Sequence, residues 1–433
     1  MIYKKGSDIL KLGEKIRQIR IHREMTQGEL VEGICSITYL SRIENGKIKP
    51  SQSFLEKVAT KLNVDVKHLA DANVDGIEET IEMIAQKYKE TNTLTDHEIS
   101  LLELHSREMH GTLILLNIFG VLLHYYIRFD SIKKAETIYN HSHNLIPNRI
   151  NEQYTEEFLY YYIACGNYFY YVQDFLKANE YYVQADKLLS PENTLQYAEI
   201  CFNMSLVKQR LITNQDISRK YSKKALEIFE FLNIPEKITD TLITIGVQYH
   251  LDGKYDKSLQ YLKKAEVYAQ SLNSAHLLTM IEYNYGRVYQ GLKEYEKAIQ
   301  HFTNTMQLND SLNQSKENIY SLRSLIDIYL QLKDWEQVDK SMSSALKIVE
   351  NNNLPSIQTE IYMYKSHIYK IRGDYYNYEK KMQSTIQLGI DKKQYVLTKK
   401  LATELGEYYY DIRAYKLAAK YFKTALDCHL DLK

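Results

Sequence analysis

The apolar positions at the start of the chain fall at helical spacing. Ile9, Leu12, Ile16 and Ile19 mark one face of a first amphipathic helix, and Lys11, Lys15, Arg17 and Arg20 are assigned to the other. Thr26-Gln-Gly-Glu29 writes a capping box that opens a second, short helix. Gly33 suits its end. Ser36 caps a third helix over 37–45 that stops at Gly46, and Pro50 with Ser51 opens a fourth, turning Phe54, Leu55, Val58, Ala59 and Leu62 inward.

Two short helices joined by a tight turn, the second carrying small polar and cationic side chains, make a helix-turn-helix. A helix fits the major groove, where residues near its N-terminus reach base edges. In that docking Thr38 and Tyr39 face bases, Ile37 meets a thymine methyl, and Arg42 reaches guanine or phosphate. The competing reading is a four-helix protein-binding module with Ile37, Tyr39 and Leu40 in its core. The order TQGELVEGICSITYLSRIENGKIKPS resembles the DNA-binding domain of the Xre family of repressors over about residues 8–70. The resemblance implies that Gln27 opens the second helix, that Ser36 to Arg42 form the recognition helix, and that Lys47 lies near phosphate. Between Gln27 and Glu44 the chain is one residue shorter than the commonest form of that motif.

Beyond a polar junction over 71–76 the reading is helical almost throughout, and a period of forty emerges. Gly166, Leu206, Gly246, Gly286, Ile326, Ser366 and Gly406 share one register. Three residues later stand Phe169, Gln209, Tyr249, Tyr289, Tyr329, Tyr369 and Tyr409; nine later, Phe175, Gln215, Tyr255, Tyr295, Trp335, Tyr375 and Tyr415. Small residues follow at Ala178, Ser218, Ser258, Ala298 and Ala418, with Val338 and Tyr378 departing, and again at Ala185, Ala225, Ala265, Ala345 and Ala425, with Thr305 and Thr385 as variants. A looser copy runs through Leu123, Tyr126, Ile132, Ala135 and Tyr139. Small residues are expected where paired helices cross and aromatics beside them; the copy at Leu206 lacks both aromatics.

The pattern resembles tetratricopeptide repeats, lengthened from the usual 34 residues. That resemblance implies an all-α right-handed solenoid whose first helices line a concave groove. The register assigns to the groove Asn167 and Tyr170, Asn203 and Arg210, Asp240 and His250, Tyr283 and Arg287, Arg323 and Asp327, then His367 and Lys370. Asn side chains both donate to and accept from a peptide backbone, and Arg clasps carboxylates.

Composition then changes the picture in three places. Only 5 Pro and 16 Gly in 433 residues leave little punctuation for hairpin strands, and 39 Tyr are largely absorbed by the repeat columns. Lys+Arg and Asp+Glu are equal at 55, which argues against a nucleic-acid partner until the chain is divided. Residues 1–70 hold 13 basic against 8 acidic side chains, leaving 42 against 47 for the rest: a basic head on an acidic body. Cys35, Cys165, Cys201 and Cys428 are scattered without a C-x-x-C, as expected of a reduced, cytoplasmic protein. The N-terminus lacks a signal peptide's apolar core, and the apolar stretch 111–127, interrupted by Asn117 and His124, is expected to be a buried helix and not a membrane span.

No enzyme is expected. His97-Glu98 lacks the second histidine of H-E-x-x-H, His141 and His143 have no carboxylate at zinc spacing, and neither phosphate loop nor nucleophile elbow is present. No cofactor or metal is called for. An Xre-like head before tetratricopeptide-like repeats resembles the RRNPP family of receptors for secreted signalling peptides, nearest its NprR- and PlcR-like members. That implies a quorum-sensing transcription regulator, homodimeric or a higher homo-oligomer, which binds a double-stranded operator and is switched by a short peptide in the groove. The implied domains are 1–70 (helix-turn-helix), 71–110 (helical linker) and 111–433 (about eight hairpins). The alternatives are a Rap-like protein that sequesters a response regulator or kinase, and a peptide-independent phage-type repressor.

Overall fold

The computed structural model describes residues 12–13, 16–17, 19–21, 23, 25–62, 64, 66, 75–108, 110–147, 150, 152–189, 194–352, 354–392 and 394–430. Ile9, Lys11 and Lys15 of the expected first helix lie outside them. The described residues are helical, with turns and two short 3-10 segments, and contain no strand. They fall into two compact units, residues 1–232 and 233–433.

The first unit opens with a small domain that has its own core: Ile16, Ile19, Leu30, Val31, Leu40, Ile43, Phe54, Leu55, Val58, Ala59 and Leu62. Its helices are Gln27–Val31, Ile37–Glu44 and Gln52–Lys61, begun by Thr26, Ser36 and Ser51, each of whose hydroxyls accepts a backbone N–H three residues on. The expectation for Arg20 is corrected. It stands one helical turn after Ile16, on the core face, and is buried against Glu44, with Nε 2.8 Å from Oε1 and Nη2 3.2 Å from Oε2. Arg20 Nη1 also donates to the Met25 carbonyl, so one guanidinium fastens the first helical segment to the turn and to the recognition helix. Losing one member of such a buried pair costs about 3–5 kcal/mol, because its partner is left charged in a poorly solvating place.

Helices Asp75–Thr91 and Asp96–His105 are not a free spacer. Ile81, Ala85, Tyr88 and Leu102 join one core with Ile114, Leu116, Phe119 and Leu122 of the next helix, Thr112–Arg128. That helix is the apolar stretch of the sequence, and no helix of the described residues is long and apolar enough to cross a membrane. Lys89 donates to Asn117 at 3.2 Å, which satisfies one of its two polar interruptions. The other, His124, keeps a little surface exposed, but its Nε2 is buried without a partner and burial holds the imidazole down at about 4.

The forty-residue register becomes a series of hairpins. Their first (A) helices are Thr155–Tyr171, Leu195–Leu211, Pro235–Leu251, Ala275–Gly291, Asn318–Leu332, Pro355–Ile371 and Tyr395–Asp411. Their second (B) helices are Phe175–Asp186, Asp216–Phe231, Tyr255–Ser271, Tyr295–Ser311, Trp335–Asn351, Tyr375–Asp391 and Tyr415–Leu430. The looser copy forms Thr112–Arg128 with Ile132–Leu145. In a regular repeat both helices span 17 residues, as in Pro235–Leu251 and Tyr255–Ser271, and three-residue turns complete the period.

The repeat columns acquire physical meaning here. Six of the seven A–B turns place a residue in left-handed conformation seven positions after the register residue: Gln173, Gly253, Lys293, Lys333, Gly373 and Arg413. The next N–H reaches back to the carbonyl of the aromatic at register three, as in Asp174 to Phe169, Lys254 to Tyr249 and Asp374 to Tyr369, all at 2.9 Å. This six-to-one closure terminates the helix. Where the copy at Leu206 lacks its aromatics, the Gln215 side chain substitutes, its amide donating to the Ile212 carbonyl at 2.8 Å.

The register glycines mark the helix crossing. A Cβ on Gly166, Gly246, Gly286 or Gly406 would meet Tyr182, Leu262, Phe302 or Phe422, in each case sixteen residues on. The expected small columns are buried beside them, including Ala178, Ser258, Ala298, Ala185 and Ala265. The aromatics at register nine fill space as expected only in part: Phe175 and Tyr295 pack against the core clusters. They begin the B helices, and Tyr375 and Tyr415 are 52% and 57% exposed.

Two outcomes follow from this packing. Gly286→Ala, normally worth about 0.5–1 kcal/mol in favour of a helix, is expected to destabilise by about 1–3 kcal/mol through overpacking. The added methyl would sit 2.7 Å from the buried Phe302 ring. Adding Phe302→Leu should recover part of the loss in a urea-denaturation double-mutant cycle, and additive effects would reject the contact. His124 stays neutral in the folded chain down to about 4, while unfolded it titrates near 6.5. Stability is therefore full above about pH 6.5 and is lost as pH falls toward 4, by up to ~3 kcal/mol from this group. His124→Leu should flatten that slope in urea midpoints measured across the window.

A candidate DNA-binding surface and a charged cavity

On the head, the capping box forms as written: the Glu29 N–H donates to Thr26 Oγ1 at 3.2 Å, and the Thr26 N–H donates to Glu29 Oε2 at 2.6 Å. Gly33 and Gly46 end the two helices at φ +75° and +65°. The Gln27 amide nitrogen donates to Glu44 Oε2 at 2.6 Å, which ties the N-terminus of one helix to the C-terminus of the next. Gln27 is thus engaged with the Arg20–Glu44 pair, and Glu44 is buried.

The clamp leaves a distinct outward surface. Ile37, Thr38, Arg42 and Lys47 are exposed, and neither cation has an ion-pair or hydrogen-bond partner among the described residues. Ser36 is exposed too, but its hydroxyl accepts the Tyr39 N–H. Tyr39 is half-buried edge-on against Phe54, with ring centroids 5.6 Å apart. Leu40 is wholly core.

In the first unit, the register-derived residues Asn167, Tyr170, Asn203 and Arg210 are brought together in two small networks. Asn203 donates to Asn167 Oδ1 at 3.5 Å, and the same oxygen accepts the Tyr182 hydroxyl at 2.6 Å. Tyr170 packs edge-on against Phe175, and the Arg210 guanidinium lies 5.9 Å from that ring's centre.

In the second unit four successive A helices enclose a cavity of about 460 Å³. His250, Arg287, Arg323 and Asp327 line it as the register predicts, joined by Gln290, Glu360 and Tyr364, which that reading missed. Arg323 Nη1 donates to both oxygens of Glu360 at 3.2 Å. The Tyr364 hydroxyl donates to Asp327 Oδ2 at 3.0 Å. Burial pushes the Asp327 carboxyl up, against the pull of Tyr364, Arg323 and Arg287. Burial and then the Arg287 charge hold the His250 imidazole down at about 4, and its Nδ1 is buried without a partner. Among the described residues Arg287 has no carboxylate within ion-pair distance.

The remaining expected positions lie elsewhere in that unit. Tyr283 lines a neighbouring cavity of about 330 Å³ with Tyr320, His276 and Asn309. His367 and Lys370 are taken by Glu404, at 2.9 and 3.3 Å. Burial pushes that carboxyl up, but its bonds to His367 and Lys370 and their charges prevail and hold it at about 2. Asp240 is pushed up by burial. The missed Glu360 sits six residues before its register position, as Asp240 does; applying that offset to every repeat would have found it.

Residues 16–69 match the helix-turn-helix family. Over 70 residues the chain is 36% identical to the ImmF control region 10 kDa protein of Bacillus phage phi105, an alignment spanning 16% of this chain and 78% of that protein. The fold is similar to that of a Rap protein complexed with competence and sporulation factor, at 16% identity and TM-score 0.56 over 83% of this chain and 98% of that one. It is also similar to the apo form of the quorum sensor NprR from B. thuringiensis, at 14% identity and TM-score 0.56 over 84% and 100%. NprR in complex with its cognate peptide NprX matches at 16% identity and TM-score 0.55 over 82% and 98%. The chain therefore belongs to the helix-turn-helix family through its first domain and carries behind it a repeat fold similar to those of the Rap and NprR structures.

Proposed function

We propose that this chain is a cytoplasmic transcription regulator that binds an operator through its helix-turn-helix and is switched by a short signalling peptide held by its repeats. The observation that carries this reading is one chain combining two features. An exposed recognition helix is held on a buried ionic clamp, and a charged repeat cavity contains an unpaired guanidinium, Arg287, beside an unpartnered imidazole nitrogen, His250 Nδ1. Arg287 suits a peptide carboxylate, and the Asn167–Asn203 pair suits backbone amides. The likeness to NprR and Rap structures solved with signalling peptides supports the same reading. A homodimer is the assembly that reads a two-fold symmetric operator. Peptide shifts such a regulator only by its differential affinity for two forms, for example through small changes in packing that accumulate from hairpin to hairpin.

Selection of genomic fragments on the purified chain tests the DNA half. An enriched duplex site is expected, and retention of fragments without sequence preference would reject it. On that site Arg42→Ala should lower affinity about ten- to hundredfold in gel shifts at fixed salt. The circular dichroism spectrum should not change, since Arg42 is exposed and its side chain makes no hydrogen bond or ion pair among the described residues.

The peptide half is tested by calorimetry with the product of a small exported-peptide gene adjoining the regulator. Arg287→Ala and Asn203→Ala should each weaken binding about tenfold or more, as loss of a charged or paired hydrogen bond predicts, while DNA affinity without peptide stays unchanged. Undiminished peptide affinity in both variants would remove these residues from the site.

A further inference from the structure

Helix Asp96–His105 ends in the sequence H-S-R-E-M-H, which leads into the buried helix Thr112–Arg128. No part of the proposed DNA or peptide surfaces uses this stretch. It brings three ligand atoms, His105 Nδ1, Glu108 Oε2 and His110 Nε2, within 4.8 Å of one another. The individual separations are 2.6 Å from His105 to Glu108, 3.2 Å between the histidines and 3.8 Å from His110 to Glu108.

From these contacts we infer that His105, Glu108 and His110 form a binding site for a divalent transition-metal ion of the zinc class, with a coordination position left open to solvent. Bonds of about 2.0–2.2 Å in tetrahedral array set ligand atoms about 3.3–3.5 Å apart. The three observed separations bracket that value, so closing them on one ion needs shifts of only a few tenths of an ångström.

Hydrogen bonding alone serves the cluster poorly. If His105 carries its proton on Nδ1, a single N–H must serve both a carboxylate and the lone pair of His110 Nε2. If His110 carries its proton on Nε2 and points it at a bare His105 Nδ1, that nitrogen confronts the carboxylate at 2.6 Å with two lone pairs in contact. Charging both rings sets two cations side by side where each residue is less than a tenth exposed. A divalent ion accepts all three lone pairs at once.

The surroundings agree with a small, partly open site. His110 Nδ1 has no partner, so Nε2 is the ring nitrogen that orients this buried side chain. Glu103, one helical half-turn before His105, is already engaged by Lys134 and Tyr126 and does not supply a fourth ligand. Glu108 is exposed and leaves the remaining position to water. Two imidazole ligands select the zinc, cobalt and nickel class over magnesium or calcium, which take oxygen ligands. The ion would staple the connection between the two helices, so loading should stiffen that junction.

The test uses the full chain, stripped with chelator and titrated with Co²⁺. One ion per chain should bind with micromolar affinity or better, giving the visible absorption of a four-coordinate nitrogen–oxygen site, and Zn²⁺ should abolish that band by displacement. Zn²⁺ should raise the melting temperature with the concentration dependence expected of binding to the folded state alone. Glu108→Gln, a nearly isosteric change at an exposed position, should weaken Co²⁺ binding at least tenfold, whereas His97→Gln, also exposed, should leave it unchanged. His110→Ala should remove the band; should that variant fail to fold, Glu108→Gln and the wild-type stoichiometry decide. Absence of saturable binding below about 0.1 mM, or equal affinity in wild type and Glu108→Gln, overturns the site.

Discussion

Four of the hairpins depend on one close approach, where a register glycine of the A helix meets the B-helix residue sixteen positions later. At three such crossings glycine faces Tyr182, Leu262 or Phe302, each of them buried, so the ring or branched chain occupies the volume that a side chain on the A helix would need. The copy at Leu206 exchanges the sizes, placing the buried Ser222 at the matching position. In these four copies a large residue on one helix meets a small one on the other, as close packing requires. The hairpin at Gly406 shows the same contact with Phe422, but that ring remains 39% exposed. Once the crossing is set, the direction of the A helix is set too, and with it the face that carries positions six and three before the register residue and one and four after it.

The head answers to a different constraint. Its core is small, and a buried network of Arg20, Gln27 and Glu44 joins three segments that short helices alone would hold weakly. The same network separates the roles of side chains that look alike in sequence. Arg20 is consumed internally, whereas Arg42 and Lys47 remain outside. A net positive count on the first seventy residues therefore overstates the charge offered to phosphate, and the position of each cation matters more than the total.

Periodicity made the architecture legible before any coordinates. The forty-residue columns name the helix crossings, the turn-closing aromatics and His250, Arg287, Arg323 and Asp327 of the cavity wall, because each is a backbone constraint repeated once per hairpin. The reading failed where residue type was allowed to outrank position. Arg20 was assigned to the solvent face for its charge, although its spacing from Ile16 is that of a core residue. Tyr39, read as facing bases or as core, precedes the buried Ile43 by one turn and is half-buried with its ring edge-on to Phe54. The aromatics at register nine were read as fillers, when their place at the first position of the B helices leaves Tyr375 and Tyr415 open. The His105–Glu108–His110 cluster escaped because its spacing belongs to a helix end running into a loop, not to one helical face.

The unpaired Arg287 has a cause in the same register. Successive A helices are linked by side chains 37 residues apart: Tyr364 donates to Asp327, His367 meets Glu404, and Arg323 grips Glu360. In the first two links the residue one after the register position reaches a partner two before the next one. Arg287 occupies the first of these places, but the second is Ser324, whose hydroxyl is turned onto its own helix to donate to the Tyr320 carbonyl at 3.3 Å. The position 37 residues before Arg287 is His250, which its charge helps keep neutral. Both neighbouring rungs of the ladder are therefore unable to neutralise the guanidinium, while the carboxylates across the cavity are already engaged by Arg323 and Tyr364. Arg287 is half-buried, so a counter-charge placed beside it would gain more there than at an open surface. Under the proposed function, the gap at Ser324 is the place that a ligand's carboxylate would take beside Arg287.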